Sequence, residues 1–415
     1  MKIVNARLRN LPGLYSVHIK NGFFDAINLQ ADHELIAVDA VDAEGHLLCA
    51  PFIEPHIHLD AAMTAGEPRW NESGTLFEGI ECWAERKSIL DQHDIKERAV
   101  ATLELLVSNG VQHVRTHADV SDPSLIGLRT LCELRDELSD KLHIQVVAFP
   151  QEGILSYPNG LALMEEAIEI GADVVGAIPH FEYTRELGDK SLKKLINLAR
   201  THDRLIDVHC DEIDDPNSRF LEVLAAEALF ADMGSRVTAS HTTAMHSYDN
   251  AYCSKLFRLL KASEINFISC PTESIHLQGR FDTYPKRRGL TRVKELDAEG
   301  INVCFAEDSI NDPWYSLGNG RLLRTLDFGL HICQMMGYSD FSRSLDFITD
   351  HSARTLGIEV DYGIHSGKPA NCILLDGKDD YDVLRRQGEV LLSIRHGRII
   401  SRREPARVVT PTYLR

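Results

Sequence analysis

His56 and His58, one residue apart, close an apolar run that begins at Leu47 and continues through Ile53. That run reads as one buried strand, and in an extended chain residues i and i+2 point to the same face. Both imidazoles therefore aim at one point just beyond the strand end, which is how a strand offers two nitrogens to a metal. Two polar residues at a strand terminus would look the same, so the reading depends on what later strand ends carry. A second apolar run ends Ile206-Asp207-Val208-His209-Cys210-Asp211-Glu212, a third Ala239-Ser240-His241-Thr242-Thr243, and a fourth Cys304-Phe305-Ala306-Glu307-Asp308-Ser309. Imidazoles and a carboxylate converging on one place suit a divalent transition metal with a position left for water.

Such groups need a scaffold that brings several strand ends together. After the first strand, apolar runs recur at 112–117, 144–151, 173–180, 205–212, 236–243, 265–271 and 301–308. Amphipathic stretches fill the gaps at 97–108, 125–138, 161–170, 190–202, 218–233 and 248–262, and two further helical stretches follow at 316–336 and 340–356. Eight strand–helix units over about 250 residues predict an α/β fold, the (β/α)8 TIM barrel, whose functional groups sit at the C-terminal strand ends. Residues 1–50 read instead as short strands (2–8, 15–19, 23–28 and Glu34–Val38) with an Asn21-Gly22 turn, and the chain returns to strands at 371–375, 389–395 and 398–401. The expected organisation is a small, helix-free β-sandwich domain built from 1–50 and 365–415, beside a catalytic barrel over 51–364. The run Asp376-Gly377-Lys378-Asp379-Asp380 reads as a solvated turn.

With 415 residues, 44% hydrophobic content and a net charge of −18, the chain suits a globular protein. It excludes general binding to nucleic acid or anionic membrane, which needs a basic surface. The start lacks a signal-peptide apolar region, and no apolar run is long enough to span a bilayer. Nine scattered cysteines without a Cys-x-x-Cys pair point to reduced thiols and a cytoplasmic location rather than a disulfide framework or a thiolate zinc site.

Segments 52–60, 74–80, 114–117, 149–159, 208–215, 239–248, 275–285 and 312–315, continuing past Leu356, resemble the amidohydrolase superfamily, and within it bacterial cytosine deaminases. The resemblance implies one divalent metal, iron(II) or zinc with manganese a further option, held by His56, His58, His209 and Asp308. The end of the fourth strand, Ala177-Ile178-Pro179-His180, has no lysine to bridge a second ion. Metal-lowered acidity would make hydroxide available near neutral pH. His241 and Asp308 would orient the water and take its proton, and Glu212 would be the proton shuttle to the ring nitrogen. Gln151 would read a pyrimidine carbonyl and ring N–H, with Leu76, Phe149 and Trp314 as apolar walls. The implied partner is a small pyrimidine base, with no nucleic acid and no membrane, and a homo-oligomer is expected by analogy.

The chain departs from the cytosine-deaminase pattern in one place. Ser309 stands where a second aspartate is usual, Asn311 where an aromatic is common, and Glu307 where a histidine is usual. The stretch Ser269-Cys270-Pro271-Thr272-Glu273-Ser274 also differs. Serine removes a charge and roughly a carboxylate's volume near the C4–C5 edge of the ring, so a 5-methyl group would fit. The expectation is hydrolytic deamination of 5-methylcytosine to thymine and ammonia, with cytosine to uracil as a second reaction. The alternatives are a cytosine deaminase without 5-methyl preference, or a deaminase of isoguanine, a pterin or creatinine.

Overall fold

The computed structural model describes residues 1–31, 40–404 and 409–410. The chain divides into two compact units, one formed by 1–51, 107–110 and 361–415 and the other by 52–106 and 111–360. The strand expected over Glu34–Val38 lies outside the described residues.

In the larger unit, strands β1 (Phe52–Ile57), β2 (Val111–Asp119), β3 (His143–Phe149), β4 (Val174–Ala177), β5 (Leu205–Cys210), β6 (Val237–His241), β7 (Asn266–Ser269) and β8 (Val303–Phe305) pair in sequential order, all parallel. The ring closes just past β8, where Ile57 bridges Asp308 and Asp308 N–H donates to the His56 carbonyl at 3.1 Å. The strands are nearly continuous hydrophobic runs because both faces are covered, by barrel interior on one side and helices on the other. Deep in the barrel, Arg115 donates to Asp207 Oδ2 at 2.9 Å, and both side chains are fully buried. This is the eight-stranded barrel expected from the strand–helix repeat.

The smaller unit is an eight-stranded mixed sheet drawing on both ends of the chain, with Leu47–Cys49 pairing parallel to Lys2–Leu8 and antiparallel to Cys372–Leu375. Its strands share one buried apolar cluster that includes Ile3, Val17, Phe24, Leu48, Cys372 and Ile394.

Three local expectations are corrected. The run from Leu47 to Ile53 is not one strand: it breaks at Ala50-Pro51, Leu47–Cys49 joining the mixed sheet and Phe52 opening the barrel. Proline has no N–H for a ladder, so it marks the handover. The tail is not helix-free. Asp379 caps a short helix, Asp380–Arg386, by accepting from Asp382 N–H, and Asp380 is buried in an ion pair with Arg9 at 2.7 Å. The two helical stretches after β8 are also shorter and more broken than expected, observed as Leu322–Ile332, Tyr338–Phe341, a 3-10 turn at Ser344–Ile348, and Asp350–Leu356. Ser344 and Thr349 hydroxyls donate to the Phe341 and Leu345 carbonyls, an alternative to continuous helix.

Candidate active site

The metal-ligand and acid–base candidates sit at or just past the ends of barrel strands, whereas Leu76 opens the helix Leu76–Lys87 and Trp314 lies in the loop after β8. Parallel pairing of β5 and β6 sets His209 beside Ser240 and Cys210 beside His241. His241 and Asp308 both adopt left-handed backbone, with φ of 65° and 74°. Such conformations are strained for non-glycine residues and cluster at functional sites. At position 308 the hydrogen bond to His56 holds it.

His56, His58 and His209 each offer a nitrogen to one shared place, and His56, His241 and Asp308 form an overlapping group. His56 Nε2 and His58 Nε2 each lie 3.5 Å from Asp308 Oδ1, and His58 Nε2 is 3.4 Å from His209 Nε2. Burial, reinforced by the neighbouring imidazoles, pushes all three histidines well below the usual range, so they are neutral with lone pairs free.

The tautomer of His56 follows from its neighbours. Ser240 Oγ donates its single hydrogen to Asp207 Oδ1 at 2.5 Å. Burial works to raise the Asp207 carboxyl, but His117 and Arg115 hold it below its ordinary value, so it is an acceptor only. The 3.2 Å contact between Ser240 Oγ and His56 Nδ1 must then be an N–H donation from His56, which leaves His56 Nε2 bare. That atom is buried without a hydrogen-bond partner. A bare, orphaned His56 Nε2 beside the His58, His209 and Asp308 donors fits a divalent cation, and the His/His/His/Asp donor set is compatible with one.

A narrow inner cavity of about 20 Å³ is lined by His58, Leu76, Gln151, His209, Glu212, His241, Glu273, Asp308, Ser309 and Trp314. It adjoins an outer vestibule of about 360 Å³, and Leu76, Gln151 and Glu212 belong to both. Neither is lined by lysine among the described residues. Glu212 is 5% exposed; burial pushes its carboxyl up to about 8, and its Oε1 lies 3.6 Å from His241 Nδ1, with Asp308 Oδ2 3.7 Å from the same nitrogen.

The loops that carry these groups are anchored by buried carboxylates. Asp211 accepts from Ser218 Oγ and from the Phe220 and Leu221 N–H groups, fixing the loop that begins at Glu212. Glu182 accepts from Ile154, Leu155 and Ser156 N–H groups, fixing the loop after Gln151. Trp314 packs with Trp83 and Ala61. A Cβ on Gly79 would come within 2.5 Å of its ring, so only glycine admits it there. Gly318 does the same for Ser309, where a Cβ would collide with the Ser309 carbonyl.

Phe149 is placed differently from the other expected wall residues. Its ring stacks on His209 at 4.0 Å and 19° and is not among the cavity-lining side chains. Sequence reading missed Glu273 and Asp312 as parts of the site. Glu273 lies in the helix Pro271–Leu277 that follows β7, and Asp312 Oδ1 accepts from the Trp314 and Tyr315 N–H groups at 3.0 Å. Burial pushes the Asp312 carboxyl up to about 6, and burial with nearby Asp308 pushes Glu273 well above its ordinary value. Glu273 lies past the end of β7 at Ser269, inside the following helix, so the strand-end pattern that marks the histidines does not mark it.

The profile of the amidohydrolase family matches residues 39–401. The chain belongs to the amidohydrolase family. A crystal structure of 5-methylcytosine deaminase from Klebsiella pneumoniae, liganded with 5-fluorocytosine, is 60% identical, with a TM-score of 0.98 over 99% of this chain and 100% of that one. N-isopropylammelide isopropyl amidohydrolase from Pseudomonas sp. (strain ADP) is 28% identical over 97% of both chains. Pterin deaminase from Rhizobium rhizogenes is 26% identical over 90% of this chain and 84% of its own. All nine cysteines of this amidohydrolase are free thiols, and no helix among the described residues is long and apolar enough to cross a membrane.

Proposed function

We propose that this amidohydrolase deaminates free 5-methylcytosine to thymine and ammonia, with cytosine to uracil as a second reaction. The observation that carries the reading is Ser309, a small residue at a cavity wall shared with Glu212, Gln151 and the histidines, in a chain 60% identical to a 5-methylcytosine deaminase. The vestibule volume lies at the low end of ligand pockets, ~300–1,000 Å³, which favours a single ring.

His56, His58, His209 and Asp308 would hold one divalent metal, zinc or iron(II). When bound it supplies Lewis acidity that lowers the pKa of water toward neutrality. The chain's own groups do the rest. Trp314 and Leu76 flank the ring, and Gln151, carrying both donor and acceptor, pairs with the ring carbonyl and N1–H. Glu212, carrying its proton in the buried site, delivers it to N3 and makes C4 electrophilic. His241 and Asp308 orient the attacking water and accept its proton. The 3.6 and 3.7 Å separations around His241 Nδ1 support passage of that proton toward Glu212. Glu212 then protonates the amino group, the C4–N bond breaks, and ammonia leaves. As the C4–N bond breaks, the proton left on the C4 hydroxyl passes to Asp308 and returns to Glu212, so C4=O forms, Glu212 is again protonated, and water and 5-methylcytosine have become thymine and ammonia.

The reading includes a cytoplasmic, homo-oligomeric enzyme by analogy with the family; the free thiols support a reducing compartment. The test is chromatography of zinc- and iron-loaded reactions with 5-methylcytosine. Thymine in stoichiometry with ammonia supports the proposal, and recovery of unchanged 5-methylcytosine while another amino-heterocycle reacts overturns it.

A further inference from the structure

One wall of the inner cavity has no task in the reaction above. Helix Pro271–Leu277 begins directly after β7 and presents Glu273 to the cavity alongside Asp308, Ser309 and Trp314. Glu273 is 4% exposed, and its Oε2 has no hydrogen-bond partner. A buried carboxyl oxygen left unpaired is costly, and such exceptions in a folded protein call for a reason. Ser309 lies within hydrogen-bonding reach of both the Glu273 and Asp312 carboxyls. Three acidic groups on neighbouring elements, Asp308, Asp312 and Glu212, act on Glu273. Glu273 also stands outside the groups that converge as metal ligands. As the carbonyl oxygen of a neutral carboxyl, Oε2 would be satisfied by an N–H donor arriving through the cavity.

An aminopyrimidine has two kinds of N–H. The ring N1–H falls to Gln151 in the proposed reaction, which leaves the two hydrogens of the exocyclic amino group. We propose that Glu273 is a further substrate-binding residue whose Oε2 accepts a hydrogen bond from that amino group and orients it for departure. Glu273 transfers no proton; Glu212 keeps that role. The inference rests on the aminopyrimidine reading and deepens it. It also joins two departures from the cytosine-deaminase pattern. A carboxyl reaching in from beyond β7 shares this cavity wall with Ser309, and serine at 309 leaves room for the 5-methyl group. An aspartate at 309 would set a second carboxylate against Glu273.

The test compares a ligand that has the amino group with one that lacks it. Glu273→Met keeps the side chain's length and removes the acceptor. On metal-loaded protein, kcat/KM for 5-methylcytosine should fall at least tenfold. The Ki of 5-methylpyrimidin-2-one, which has no amino group, should stay within twofold of wild type at unchanged metal content. Glu273→Gln should recover part of the loss, because its amide oxygen still accepts. If Glu273→Met does not fold, Glu273→Ala reads the same ratio. Wild-type kcat/KM in these variants, or equal losses for substrate and amino-free analogue, would overturn the assignment while the deaminase reading stands. A wild-type chain that releases no ammonia from any aminopyrimidine removes both.

Discussion

Replacing Glu212 with glutamine keeps the side chain's size and removes the proton it carries. Burial alone lifts this carboxyl from its ordinary 4.5 to about 8, so in the metal-free protein at pH 7 it is neutral and has a proton to give. Loss of one general acid–base group costs about 10²–10⁴-fold. Glu212 acts at both the ring nitrogen and the leaving amine, so kcat should fall toward the upper end of that range, with metal content unchanged. The same burial has a consequence for stability. The folded state keeps the Glu212 proton up to about pH 8, whereas the unfolded chain releases it near 4.5. This group's contribution is fully present below pH 4.5 and is lost as pH rises through 8. At about 1.4 kcal/mol per pH unit, the wild type carries a penalty on the order of 3–5 kcal/mol by pH 9 that the glutamine variant lacks. Urea unfolding of both metal-free proteins at pH 5 and pH 9, with ammonia release at pH 7 on the loaded forms, measures the two effects. A variant retaining more than a tenth of wild-type turnover, or a stability difference that does not change between the two pH values, would refute the reasoning.

Ser309→Asp returns a carboxylate to the 1% exposed wall position; the 5-methylcytosine to cytosine ratio of kcat/KM should drop by about 10-fold or more, since a desolvated charge next to a methyl costs ~1–3 kcal/mol. Ser240→Ala removes the acceptor that fixes the His56 tautomer, so metal affinity, read by competition with a chelator, should weaken about 10–100-fold as for other supporting groups; unchanged affinity would contradict the tautomer argument. Arg115→Met leaves Asp207 buried without its cation and should destabilise the fold by about 3–5 kcal/mol in urea unfolding, with less than about 1 kcal/mol counting against the role given to the pair.

The parts of the site visible in the sequence were those that repeat a strand's own period. His56 and His58 announce themselves because i and i+2 share a face, and His209, His241 and Asp308 because each ends an apolar run in a repeating series. The barrel was legible for the same reason, as burial on both faces leaves unbroken hydrophobic strands. Features set by long-range contact were not. Asp380 looks like part of a solvated turn until Arg9, far away in sequence, pairs with it. The break at Pro51 looks like a minor interruption, yet it separates two units. Glu182 gives no sign of its role until three N–H groups of the Gln151 loop are found donating to it. Glu273 belongs to this second class: only the turn of helix after β7 brings its carboxyl to the cavity.

The central claim is tested most directly by ammonia release from 5-methylcytosine and cytosine, measured side by side on zinc- and iron-loaded protein. The account predicts that kcat/KM for 5-methylcytosine equals or exceeds that for cytosine, because Ser309 leaves space for the methyl group. Turnover of cytosine alone would contradict it.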